Sequence, residues 1–330
     1  MSKAKRRASW FPLALGSLVF LVIIAYSLYW VILSGELKKG VEDWAEDQRR
    51  AGMTVEYADM TMSGFPFRFV LTTTDPVMGS DRDGWQWAGE ELKLVAQSYN
   101  LYHVLAFAPG SSEISLPDGQ VITALPDDKS KASFRFSKDW KLKQVGLSVP
   151  SLEARQSGEV IAQIEALDLG LRPMPDNASN LQFALSAERA SVTDLPEDIA
   201  WLGTDLDHFV LWVEMENFYP LAEGELSETE WRVDGNKIHV RRGEIAWGPL
   251  EAAARASVSV TRDNDVNGTV GVHLKNADAL KQALDEAGLL TDEIRSGIST
   301  LALMSQNDNF ATVQLKDRGI YLLGNKLGEY

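Results

Sequence analysis

The chain has no cysteine. Disulfides therefore stabilise nothing here, and thiolate catalysis and cysteine-ligated metals are excluded. Histidine is almost as scarce. His103, His208, His239 and His273 are scattered, with no H-E-x-x-H spacing, and are read as structural or surface groups. There is no G-x-S-x-G elbow and no phosphate-binding glycine loop. A triad assembled from distant residues is left open, because triads are defined by geometry. No catalytic residue, cofactor or metal is expected. Clustered positive charge is also missing beyond the first few residues. The net charge is −15, and setting aside Lys3, Lys5, Arg6 and Arg7 leaves −19 for the remainder. So acidic a chain repels phosphate backbones, and nucleic acid is not an expected partner.

What the sequence does have is one long apolar run. From Phe11 to Leu33, 23 residues carry no charged side chain. At 1.5 Å per residue they span about 34 Å as a helix, slightly more than the ~30 Å hydrocarbon layer. Most are Leu, Ile, Val or Phe, which together favour insertion by roughly 4–8 kcal/mol. Trp10 and Phe11 mark one interface, and Tyr26, Tyr29 and Trp30 the other. The basic cluster precedes the run, so Met1 is expected in the cytoplasm and Glu36 onward outside it. A cleaved signal peptide would need a shorter core and a small-x-small site, and Leu33-Ser34-Gly35 is a poor one. The reading is thus a basic tail over 1–10, a transmembrane anchor over 11–34 and a juxtamembrane helix over 35–52. A β-rich extracytoplasmic domain follows over 53–330, with a sub-boundary near 173–180.

The helix is expected to outlast the membrane, since Leu37, Val41, Trp44, Ala45 and Gln48 share one face and Gly52 stops it. Short runs then alternate at the strand period. Phe65, Phe67, Phe69 and Leu71 read as one strongly aromatic strand face, with Arg68 pointing away and Pro66 at a strand start or edge. Phe209, Leu211, Val213 and Met215 alternate as cleanly. Ala256, Val258 and Val260 pair plausibly with Val270, Val272 and Leu274. Roughly a dozen or more strands with regular turns point to a mainly β, α+β fold, curved and mostly antiparallel, with a few helices. One such helix carries Leu280, Ala283, Leu284 and Ala287. A second begins at a Thr291 cap, and a hairpin turns at Lys316-Asp317-Arg318-Gly319.

The basic N-terminus, the anchor ending in Tyr26–Trp30, Val55-Glu56-Tyr57 and Gly64-Phe-Pro-Phe-Arg-Phe69 together resemble domain-of-unknown-function family 2125. Its members are membrane-anchored proteins of Gram-negative bacteria. The resemblance is motif-specific over residues 26–71. It implies the inner membrane, with the C-terminal domain in the periplasm, and carries no known activity. The C-terminal part, from Gly243-Glu-Ile-Ala-Trp-Gly248 to Gly319-Ile-Tyr-Leu-Leu-Gly324, is loosely similar to AsmA-like envelope proteins. That likeness implies lipid handling on a long sheet with an apolar concave face.

Two acidic stretches are read as ordinary turns. Asp263-Asn-Asp265-Val-Asn267-Gly268 opens like a calcium loop, but its twelfth position is Leu274 rather than Glu, so it is read as a hairpin turn. Asp205-Leu-Asp207-His208 is read as a polar turn before a strand at Phe209. Phe65, Phe67 and Phe69 are the candidate lining for an apolar ligand, their plainer reading being core. Three functions are weighed: a binding or transfer module for lipid or another apolar ligand, a structural envelope protein docking a partner protein, and a hydrolase with an assembled site. The expected partner in every case is the bilayer, through the anchor.

Overall fold

The fold comes from a computed structural model that describes residues 11–193, 195–305, 309–322 and 324–329. Helix α1 runs unbroken over Phe11–Arg50, 40 residues and about 60 Å. Its apolar half has no proline beyond the first turn. Its outer half is laced by charge pairs, Lys38–Glu42 at 4.0 Å and Arg50–Glu46 at 3.0 Å. Arg49 and Arg50 complement the dipole in the last turn, and Gly52 (φ 88°) closes the helix with its N–H on the Arg49 carbonyl.

Twenty strands among the described residues form one antiparallel hydrogen-bonded network. The first seven are β1 (Met53–Glu56), β2 (Asp59–Ser63), β3 (Arg68–Thr74), β4 (Val77–Ser80), β5 (Trp85–Gly89), β6 (Glu91–Gln97) and β7 (Asn100–Phe107). Then come β8 (Ser112–Ser115), β9 (Val121–Pro126), β10 (Lys131–Phe136), β11 (Leu142–Gln156), β12 (Glu159–Pro173) and β13 (Leu181–Val192). The last are β14 (Asp205–Met215), β15 (Lys237–Trp247), β16 (Leu250–Val260), β17 (Val266–Lys275), β18 (Ala311–Lys316), β19 (Gly319–Leu322) and β20 (Asn325–Glu329).

The network branches at β11. One edge of that long strand pairs with β12 throughout, while the other is shared between β10 and β9. From β10 the pairing runs through β7, β6 and β3 to β2. From β9 it runs through β8, β5 and β4 to β1. The two branches meet again beside α1, since β1 and β2 are consecutive. Beyond β12 the sheet is a plain meander to β20, and residues 174–180 are the β12–β13 connection.

Register makes one face of this sheet apolar without interruption. Phe69, Ala96, Val104, Phe134, Val145, Leu171 and Phe183 stand directly opposite one another, strand by strand. The row continues through Val213, Val240, Ala256, Val270 and Val313 to Leu322. Opposed residues share a face, so twelve strand spacings of about 4.8 Å carry this row about 58 Å along the sheet. Every member is half-buried or buried.

Helices are inserted in this meander at two places. Between β14 and β15 lie α2 (Phe218–Ala222) and α3 (Glu228–Val233). α3 opens on a capping box in which the Ser227 hydroxyl accepts from the Glu230 N–H. It buries Trp231, whose Nε1 donates to the Glu216 carbonyl. Near the distal end, α4 (Ala277–Glu286) and α5 (Asp292–Met304) pack Leu280 and Ile298 on Leu274. Thr291 caps α5 as its place in the sequence requires.

Glu223, at the end of α2, ties that helix to the start of β11 by accepting from Lys141 and Lys143, both at 2.5 Å. The two ammonium groups, Lys141 first, hold its carboxyl down at about 2. A carboxylate depressed on folding stabilises above its unfolded value, and that contribution is lost as pH falls through the folded one. Hydrogen-exchange protection factors in residues 218–223, which remove the intrinsic pH dependence of amide exchange, should therefore stay level from neutrality down to about pH 4 and fall below it. Glu223→Gln should show the lower protection above about pH 4 and converge on wild type as pH falls towards 2. An unchanged profile in that variant would exclude the linkage.

Two sequence expectations are corrected. The aromatic strand does not begin at Phe65. Pro66 has no N–H for a ladder, and Gly64 (φ 101°) starts a turn closed by the Arg68 N–H on the Gly64 carbonyl, so β3 begins at Arg68. Nor is Asp205–His208 a turn. It is already β14, held by pairing with Glu188–Ser191.

Candidate functional site

Between α1 and the β10-side branch lies a partly open apolar cavity of about 670 Å3. One wall is α1 itself, through Leu37, Val41, Trp44 and Ala45. These are four of the five residues that helical spacing places on one face. The opposite wall is the near end of the apolar row, with Phe69 and Leu71 from β3, Leu94 and Ala96 from β6, Val104 and Ala106 from β7, and Phe134 from β10. Val55, Met60, Met62 and Met78 close the sides, the methionines supplying flexible and polarisable surface. Trp140, half exposed in the β10–β11 turn, stands at the rim, within ring contact of Tyr102 (5.2 Å) and Phe136 (6.0 Å).

The three candidate phenylalanines separate. Phe69 is 2% exposed and lines the cavity, stacked at 5.4 Å on Trp30 of α1. Phe65 and Phe67 lie in the turn before β3, outside the cavity. Phe65 packs edge-on against Trp30 at 5.6 Å, and Phe67 projects outward. The lining from β6, β7 and β10 was not identified from sequence. Its signal was present in the alternation of Leu94 with Ala96, Val104 with Ala106, and Phe134 with Phe136. It is a weak signal, because the intervening positions are partly apolar too.

Glu56 and Tyr57 are the titratable residues of the chamber's lining, and the histidines lie away from it. His103 Nε2 is 3.0 Å from Ser133 Oγ, on the opposite face of the sheet. Burial, followed by the charge of Arg135, lowers the His103 pKa. The charged group acting on this pair is thus a guanidinium rather than an orienting carboxylate, the reverse of what a nucleophilic dyad needs. His239 meets Glu216 at 3.2 Å, and His273 meets the Asn309 carbonyl at 2.9 Å. Among the described residues no three His, Asp or Glu side chains converge as a metal site. Of Asp263–Gly268, read as a hairpin turn, Asp263–Asp265 lie in the β16–β17 turn, where Arg318 donates to Asp265 at 2.7 Å, and Val266–Gly268 already pair in β17.

The helix before the chamber is long and apolar enough to cross a membrane, with a mean hydropathy of 2.2 in its most apolar window. Leu15, Leu18, Val19, Phe20, Leu21, Val22, Ile23 and Ile24 are each at least 40% exposed, so no protein core covers them.

These parts define a class: a β-sheet protein on an N-terminal helix fit for a single-pass anchor, with an apolar chamber built against that helix. The chain belongs to a family of uncharacterized proteins conserved in bacteria, DUF2125, whose model matches residues 30–329. No curated protein matches it.

Proposed function

We propose that this protein is an inner-membrane-anchored envelope protein that holds a lipid or other apolar chain in the chamber between α1 and the sheet, on the periplasmic side. The carrying observation is the cavity. It leaves an apolar surface, shared by α1 and the sheet, open to solvent with no side chain among the described residues to cover it. Filled with water the cavity would hold on the order of twenty molecules, and the lining offers almost none of the polar partners each needs. An apolar chain covers that surface, and the volume falls within the range of ligand pockets. The mechanism is passive: the chamber replaces hydrocarbon as solvent, and the apolar row leads away from it along the sheet. The basic residues before the helix support the orientation, with the domain outside the cytoplasm.

Native mass spectrometry of the full chain released from its membrane in mild detergent tests this. The wild type should carry a lipid-sized adduct. Ala106→Trp, which fills the chamber without adding charge, should remove most of it. A bare wild type, or equal occupancy in the variant, would refute the reading.

A further inference from the structure

We propose that the β2–β3 turn (residues 64–67) and the β6–β7 turn (residues 98–99) form a second membrane contact. In this arrangement they enter the outer interfacial layer beside α1 and seat the rim of the chamber on the lipid. The proposal rests on α1 being the anchor and does not require a ligand in the chamber.

Position comes first. Along the helix, Tyr26 lies about 22 Å and Trp30 about 28 Å from Phe11, so both fall in the last third of a ~30 Å hydrocarbon layer entered at Phe11. These are the residues that hold the two turns. The Tyr26 hydroxyl donates to the Pro66 carbonyl, and Trp30 Nε1 donates to the Arg68 carbonyl at 3.2 Å. The Tyr29 hydroxyl donates to the Ser98 carbonyl at 3.4 Å. The turns are therefore fastened to the anchor at the level where it leaves the bilayer.

The second observation is that most carbonyls of the two turns find donors inside the protein. Non-helical backbone near hydrocarbon must find its hydrogen bonds inside the protein. Here the Pro66, Arg68 and Ser98 carbonyls accept from anchor side chains, and the Phe67 carbonyl accepts from the Ser98 N–H (3.0 Å) and hydroxyl (3.1 Å). Pro66 brings no N–H at all.

The third is surface chemistry. Phe67 is 73% exposed, Tyr99 78% and Phe65 52%, side chains suited to an interface and poorly suited to water. Residues 60–74 and 92–112 carry no carboxylate. At 47 acidic residues in 330, these 36 positions would be expected to carry about five. Arg68, next to Phe67, has no acidic partner among the described residues and can reach headgroup phosphates. An otherwise acidic surface has thus cleared negative charge from the two turns nearest the bilayer.

The cysteine-free chain permits a direct test. Single spin labels are placed through Phe67→Cys, Tyr99→Cys, Phe20→Cys in the anchor and Asp128→Cys in the β9–β10 turn at the far end of β10. The full chain is reconstituted in nanodiscs of phosphatidylcholine and phosphatidylglycerol. Collisions with oxygen and with a water-soluble nickel chelate are then compared. Positions 67 and 99 should show several-fold lower nickel accessibility than position 128 and raised oxygen accessibility, between the values at 128 and 20. Since both side chains are exposed, labelling them disturbs no packing. Values at 67 and 99 equal to those at 128, with position 20 in hydrocarbon, would overturn the contact while leaving the anchor intact. A water-exposed position 20 would remove the anchor, and the turn placement with it.

Discussion

Phe69→Ala should lower the stability of the full chain by about 3–5 kcal/mol, with a further ~0.5–1.5 kcal/mol from the lost ring stacking. Phe69 is nearly inaccessible and sits where three things meet: the start of β3, Trp30 on α1 and the floor of the cavity. Removing the ring enlarges a space that the fold already keeps open, so little collapse can offset the loss. In detergent-solubilised protein, Tm should fall by on the order of 10 °C. The same variant separates packing from ligand capture. A larger apolar chamber should still carry an adduct, whereas the filled chamber of Ala106→Trp should not. A Tm within about 2 °C of wild type would show that Phe69 is not packed as described.

Gly248→Ala should be nearly as damaging, at about 3 kcal/mol or more, the upper end of overpacking costs. Gly248 turns the β15–β16 hairpin with φ 52°, and a Cβ there would stand 2.0 Å from the Leu202 carbonyl oxygen. The Cβ position is fixed by the backbone and its neighbour is a backbone oxygen, so no rotamer change relieves the contact. The short 3-10 turn at Ala200–Leu202 is already held to this hairpin, since Trp247 Nε1 donates to the Gly203 carbonyl at 2.7 Å. Moving it would pull Trp201 from the cluster of Leu274, Leu280 and Ile298 that closes the distal end. Gly158→Ala is the matching control. Gly158 also has positive φ, in the β11–β12 turn, but nothing lies within 4 Å of its added Cβ. It should cost only about 1 kcal/mol, the penalty of the backbone conformation alone. Equal losses in the two variants, measured by denaturant unfolding, would mean that the close approach to Leu202 is not what matters.

The chain's local periods were legible, and their limits are as informative as their successes. The wall formed by Leu37, Val41, Trp44 and Ala45 could be read because 3.6-residue spacing is a property of the segment itself. The turn at Asp317-Arg318 could be read for a similar reason: hairpin chemistry sits in adjacent residues, and both adopt positive φ. The Phe65–Phe69 stretch misled because period-2 spacing persists through a turn. Nothing in the spacing says that Gly64 and Pro66 will break the strand before Arg68. Asp205–His208 misled in the opposite sense. Charged residues resembling a loop became strand because a neighbour, β13, was there to pair with them.

By itself the sequence determined a helix that hydrocarbon suits better than water, a strand-rich chain after it and most of the local turns. Each of these follows from interactions within a few residues. Only the tertiary structure decided that β3 pairs with β6 and β7 with β10, and that β11 divides its edge between β9 and β10. Those pairings join residues far apart in the chain, and a one-residue slip in any of them would turn that strand's apolar side outward. The chamber and the apolar row that leaves it are therefore products of register, which no single stretch of this sequence contains.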